Sequence, residues 1–109
     1  MEKKYREELN KLKNQIIKEY KPERIILFGS LAWGGVTKSS DIDLFVVKKT
    51  TKRFGERIDE VNCIANRARI ETPKDIIVFT PSELKKRISM NDFFITEIIN
   101  NGKLLYEKR

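Results

Sequence analysis

Residues 25–47 read Ile25-Ile26-Leu27-Phe28-Gly29-Ser30-Leu31-Ala32-Trp33-Gly34-Gly35-Val36-Thr37-Lys38-Ser39-Ser40-Asp41-Ile42-Asp43-Leu44-Phe45-Val46-Val47, and the fold is decided here. Arg24 to Phe28 is a short, mostly apolar run, the pattern of a strand buried on both faces. Gly29-Ser30 breaks it, and Leu31-Ala32-Trp33 starts a short helix. Gly34 to Ser40 is rich in turn-forming residues and reads as a loop. Ile42 to Val47 then gives a second strand, with Asp41 and Asp43 at its beginning.

On the N-terminal side, residues 2–20 form a helix. Tyr5, Leu9, Leu12, Ile16 and Tyr20 make one apolar stripe among charges. Pro22 ends that helix, because proline disfavours helical geometry in the residue before it. On the C-terminal side, Phe54, Ile58, Val61, Ala65 and Ala68 give a second helical stripe, and Cys63 lies off it as a plain thiol. Pro73 precedes a third strand, Asp75-Ile76-Ile77-Val78-Phe79. In Thr80-Pro81-Ser82-Glu83, Thr80 is an N-cap, Pro81 fits the first turn and Glu83 closes a capping box. Phe93, Phe94, Ile95, Ile98 and Ile99 lie on a further helix that Asn101-Gly102 stops in a left-handed turn, before a last strand at Leu104-Leu105-Tyr106. This order predicts a single α/β (α+β) domain over 1–109, a small mixed β-sheet of about four strands flanked by helices.

Composition removes several chemistries. The chain has 109 residues and no histidine, which excludes Ser–His–Asp and Cys–His catalysis and any His-ligated zinc site. One cysteine cannot form an internal disulfide, as suits a reducing compartment. The first residues have no apolar signal core and no stretch is long enough to span a membrane, so the expectation is a cytoplasmic protein without a membrane partner. A net charge of +7 favours anionic ligands such as nucleotides, RNA or an acidic partner.

Three features carry possible chemistry. Asp41 and Asp43 are two apart on a strand, so they share a face with Cα atoms about 6–7 Å apart and can converge on a hard divalent cation. Asp75 opens a strand, so a neighbouring strand can bring a third carboxylate to the same place. Such crowding suits a pair of metals about 3.5–4 Å apart, the arrangement for in-line phosphoryl displacement. Gly29-Ser30, between a strand and a helix, can approach phosphate closely. Each feature alone has an ordinary structural reading: a turn, a cap or a polar strand opening. Haloacid-dehalogenase-type phosphatases fit less well, because their aspartate pair follows the apolar strand, whereas here it precedes one.

Taken together the features are specific. Ten residues separate Ser30 from Asp41, and Gly-Ser-x10-Asp-x-Asp resembles the signature of the DNA polymerase beta-like nucleotidyltransferase superfamily. From Ile25 to Tyr106 the chain is similar to minimal nucleotidyltransferases (MNT), the antitoxin half of MNT–HEPN toxin–antitoxin systems. The pieces that carry this likeness are Ile26-Leu27-Phe28-Gly29-Ser30, Ser40-Asp41-Ile42-Asp43-Leu44, Asp75-Ile76-Ile77-Val78 and, as support only, Gly102-Lys103-Leu104-Leu105-Tyr106. The chain departs from the family's Gly-Ser-Arg-Ala-Arg-Gly, with Leu31 and Trp33 in place of the arginines.

The resemblance implies that Asp41, Asp43 and Asp75 are catalytic and hold Mg²⁺, two ions in all. It implies that Gly29, Ser30 and Ser40 bind the nucleotide, ATP foremost, and that AMP passes to a tyrosine of a HEPN-type RNase toxin (AMPylation). Two rivals remain: an inactive antitoxin that neutralises its partner by covering it, and nucleotidyl transfer to RNA or a small molecule, with RNA permitted by charge but not favoured. Lys38, Lys48, Lys49, Lys52 and Arg53 either draw in the polyanion or are simply solvated. Tyr5, Tyr20 and Tyr106 are conceivable self-modification targets, with packing favoured for Tyr5 and Tyr20. Trp33 reads as core or interface packing ahead of base stacking.

Overall fold

A computed structural model describes residues 3–33 and 41–109. Its elements are α1 (Lys3–Tyr20), β1 (Arg24–Phe28), α2 (Ser30–Trp33), β2 (Ile42–Val47), α3 (Phe54–Asn66), β3 (Lys74–Phe79), α4 (Pro81–Ser89), α5 (Phe93–Asn101) and β4 (Lys103–Glu107). The strands form one sheet in the order β3-β2-β1-β4. β1 runs antiparallel to both β2 and β4, while β2 and β3 are parallel and joined through α3. The mixed four-stranded sheet is the α+β arrangement expected from the element order.

Alternation along the strands builds two apolar layers. Ile25, Leu27, Ile42, Leu44, Val46, Ile76 and Val78 pack on one face beneath α1 and α3. Ile26, Phe28, Phe45 and Val47 pack on the other, beneath Leu84 of α4 and Ile95 and Ile98 of α5. The five apolar residues of the α1 stripe are all buried. α1 stops at Tyr20, and Lys21 before Pro22 turns to φ 53°.

Two details correct the sequence reading. The buried face of α3 is Arg57, Val61, Ile64 and Ala65; Phe54 is exposed and Ala68 lies past the helix end. The stripe is rotated because Arg57 turns inward. Its guanidinium donates to both carboxylate oxygens of Glu83 and to the backbone oxygen of Lys52. A buried cation is stable only with such partners, and the partners lie on other elements. The second correction concerns Gly102, which is extended (φ −74°, ψ 168°) rather than left-handed. Its need for glycine is steric. A Cβ there would stand 2.7 Å from Ile26 Cγ2 and 2.9 Å from the Leu27 backbone oxygen, and would run into the Ile98 carbonyl. The absent side chain lets α5 turn into β4 directly against β1.

The cap of α4 is as expected: Thr80 Oγ1 accepts from the Glu83 N–H and Glu83 accepts from the Thr80 N–H. Cys63 is free and exposed, while Tyr5 and Tyr20 are buried in the core. Among the described residues, no helix is long and apolar enough to cross a membrane. Gly102→Ala should cost about 1–3 kcal/mol through overpacking, read as a lower thermal midpoint.

Candidate active site

The two strand registers gather the site. Antiparallel pairing sets Phe28, the last residue of β1, opposite Asp43, and parallel pairing sets Asp75 beside Asp43 on the other flank. Cross-strand partners share a face, so Phe28, Asp43 and Asp75 emerge together, on the face opposite α1 and α3. Asp41 stands just before β2 and is exposed, as is Asp75, while Asp43 is partly buried. Burial pushes the Asp43 carboxyl up to about 6, and the charges of Asp75 and then Asp41 add to the effect. The charges of Asp41 and Asp75 therefore reach Asp43 from its own segment and from the neighbouring strand.

Gly29 turns the chain over this cluster with φ 77°. A Cβ at Gly29 would collide with Asp43 Oδ2 and stand 3.0 Å from Asp43 Cγ, so only glycine brings backbone this close to the carboxylate. The Gly29 carbonyl accepts from the N–H groups of Ala32 (3.0 Å) and Trp33 (3.1 Å), which starts α2 with Ser30 as its first residue. Leu31 and Ala32 of α2 are buried in the core, whereas Trp33 is half exposed and takes no part in it. Ser40, and Lys38 with it, lie outside the described residues.

Among the described residues, no three acidic side chains stand close enough together to form a ready-made metal cage. The donor chemistry nevertheless fits a hard cation. The side chains converging here are carboxylates, and the chain has no imidazole to offer a softer ion. A cation would also relieve the repulsion that raises Asp43.

The support of this site lies in residues that the sequence reading passed over. Glu8 on α1 accepts from the Glu71 N–H (2.6 Å) and the Thr72 N–H (3.0 Å), and its carboxylate also bonds the Thr72 hydroxyl. The next carbonyl, Pro73, accepts from Ile42 N–H at 2.9 Å, between Asp41 and Asp43. Glu8 thus fixes the turn that leads into Asp75. Burial works to raise the Glu8 carboxyl, but the bonds from Thr72 and Glu71 outweigh it and hold it below its usual value.

Of the basic residues considered for steering, Lys48, Lys49, Lys52 and Arg53 do not approach the carboxylates. They follow the far end of β2, about 17 Å along the strand from Asp43 at the usual rise. Lys48 is occupied there: its Nζ donates to the Tyr20 carbonyl at 2.6 Å and lies over the Tyr20 ring. Lys52 pairs with Glu60.

The sequence pattern of the family described as Polymerase beta, Nucleotidyltransferase matches residues 10–109. The chain belongs to that family. Two solved structures share the fold of this nucleotidyltransferase. One is a toxin–antitoxin crystallised with AMP-PNP, at TM-score 0.62 and 21% identity, covering 92% of this chain and 73% of that one. The other is a candidate nucleotidyltransferase from Sulfolobus solfataricus, at TM-score 0.57 and 22% identity, covering 99% of this chain and 90% of that one. No match was found among curated protein sequences.

Two outcomes follow from this geometry. Because Asp43 is raised in the fold, the folded state binds more protons than the unfolded state between about pH 4 and 6, and stability falls as pH rises through that window. Asp43→Asn should therefore stabilise the protein at pH 7.5, on the order of 1–2 kcal/mol after solvent screening, with the gain vanishing near pH 4 in parallel thermal melts. Gly29→Ala should cost about 1–2 kcal/mol for its left-handed backbone alone. It should also displace the Asp43 carboxylate, which a Cβ at residue 29 would meet, and so shift the titration of that group.

Proposed function

We propose that this nucleotidyltransferase moves AMP from ATP onto a protein hydroxyl, a tyrosine of a HEPN-type RNase toxin, and so acts as its antitoxin. The observation that carries the reading is the Gly29 turn lying against Asp43, with Asp75 in register beside it. Phosphate-binding backbone and carboxylates then meet at one point. The fold-level likeness to a toxin–antitoxin crystallised with AMP-PNP supports both the nucleotide and the kind of partner.

In this reading Gly29, Ser30 and Ser40 receive the β- and γ-phosphates through backbone N–H groups and hydroxyls. Asp41 and Asp43 hold Mg²⁺, with Asp75 joining them. Two Mg²⁺ ions held by these carboxylates would supply phosphate-charge neutralisation and a lowered pKa for the attacking hydroxyl. Asp75, exposed at the mouth of the site, accepts the hydroxyl proton. The acceptor oxygen bonds to the α-phosphorus, the bond between that phosphorus and the bridging oxygen to the β-phosphate breaks, and pyrophosphate leaves toward Gly29 and Ser30. One observation favours a second reading, an antitoxin that acts by binding alone. Leu31 and Trp33 stand where the resembling family has arginines, and Leu31 is buried, so that helix offers no guanidinium to phosphate.

The test is incubation with source-cell lysate, Mg²⁺ and ATP labelled at the α-phosphate, beside γ-labelled ATP and an Asp41→Ala/Asp43→Ala double variant. A labelled protein, obtained only with α-label and only with the unaltered chain, is the expected outcome, and mass spectrometry then identifies the modified residue. Label in RNA would redirect the acceptor. No label, with a partner retained by both proteins, would leave the binding-only antitoxin.

A further inference from the structure

We infer that Phe94 is the stacking platform for the base of the bound nucleoside triphosphate. The inference rests on the nucleotidyl-transfer reading of the Asp43 site and adds where the base lies. Phe28 is the cross-strand partner of Asp43, so their side chains are immediate neighbours, about 5 Å apart at Cβ. The Phe94 ring meets that of Phe28 at 5.7 Å between centroids and 89° between planes. Phe28 is 9% exposed and Phe94 is 50% exposed. An edge-to-face contact uses at most one face of Phe94, which leaves a ring face open to solvent two side chains from the carboxylate. That distance is within the span of one nucleoside.

The flank matters as much as the distance. Asp43 lies between β1, which ends in Phe28 and the Gly29 turn, and β3, which begins near Asp75. In-line displacement needs the attacking hydroxyl and the departing pyrophosphate on opposite sides of the α-phosphorus. With Asp75 serving the hydroxyl on the β3 side and Gly29 serving the phosphates on the β1 side, the acceptor fills the β3 flank and the nucleoside, whose 5′-oxygen is equatorial, has its room over β1. Phe94 stands on that side, because α5 packs on β1.

The platform is also held firmly. Asp92 Oδ1 caps α5 by accepting from Ile95 N–H at 3.0 Å, its Oδ2 accepts from Arg87 at 2.9 Å, and Ile95 and Ile98 are buried. Little side-chain freedom is lost when a base arrives. Stacking on a phenyl ring is tolerant of base identity, so the platform suits purine nucleotides as a class, ahead of pyrimidines by ring area.

The experiment compares binding of ATP and of tripolyphosphate, a probe without a base, in Mg²⁺ buffer by calorimetry. The proteins are the unaltered chain, Phe94→Ala, Phe94→Leu and Phe94→Trp, the last in a Trp33→Phe background. Phe94→Ala and Phe94→Leu should weaken ATP on the order of tenfold and leave tripolyphosphate unchanged. Phe94→Trp should retain ATP affinity, with its emission quenched by ATP and not by tripolyphosphate. Equal loss for both probes would overturn the inference, since Phe94 would then only prop Phe28. Unchanged ATP affinity with loss of acceptor labelling would also overturn it, in favour of acceptor docking. If the unaltered chain binds neither probe, the nucleotidyl-transfer reading fails and the platform fails with it. Binding to the unaltered chain that is indifferent to residue 94 defeats the platform alone.

Discussion

The register that β2 keeps with both neighbours is the constraint on which the site depends. β2 is bonded on both edges, and its residues from Leu44 to Val47 are fully buried. A slip of one residue against β1 or β3 would turn that apolar set to the wrong layers, so the core enforces the pairing of Asp43 with Phe28 and Asp75. The geometry of the carboxylate cluster is thus a by-product of hydrophobic burial further along the same strands. Side chains at the strand ends inherit their positions from residues that never touch a ligand.

The cluster that results is electrostatically unfavourable, and the surroundings are arranged to hold it. Desolvation and two like charges oppose ionisation of Asp43, while Gly29 closes over it without room for a side chain. Glu8 is a carboxylate of another kind, since its charge is met by the backbone N–H groups of residues 71 and 72. One acid is stabilised by donors and fixes a turn. Another is left short of them, and burial with two neighbouring charges keeps its proton bound to higher pH.

Much of this was legible in the sequence because it rests on local rules. Strand positions follow from apolar runs, the α4 cap from Thr80-Pro81-Ser82-Glu83, and the shared place of Gly29, Asp43 and Asp75 from the resemblance that Gly-Ser-x10-Asp-x-Asp carries. What escaped depends on distant partners. Arg57 reads as a surface cation until Glu83 is placed beside it, and that rotation of α3 could not be seen from periodicity. Glu8 lies on the polar side of a helix stripe, and its partners are 63 residues away or more. Gly102 needs its missing side chain for the close approach of Ile26 and Leu27, not for a left-handed turn, and that approach leaves no mark in the sequence near residue 102. The lysines after β2 looked like steering charges only because sequence proximity to Asp43 hides the length of an extended strand.

The placement of β4 beside β1 has a bearing on how the fold is reached. β1-α2-β2 and β2-α3-β3 are each built from neighbouring segments, and their loops close at modest entropic cost. β4 must instead return across the whole sequence to pair Arg24 with Glu107 and Ile25 with Tyr106, with Lys108 N–H bonding the Glu23 carbonyl at 2.8 Å. Non-local pairing of this kind comes late in folding. Until it does, β1 presents an apolar strand with one bare edge, the feature that recruits strands from other molecules. In the finished sheet β4 covers that edge of the strand that carries the Gly29 turn.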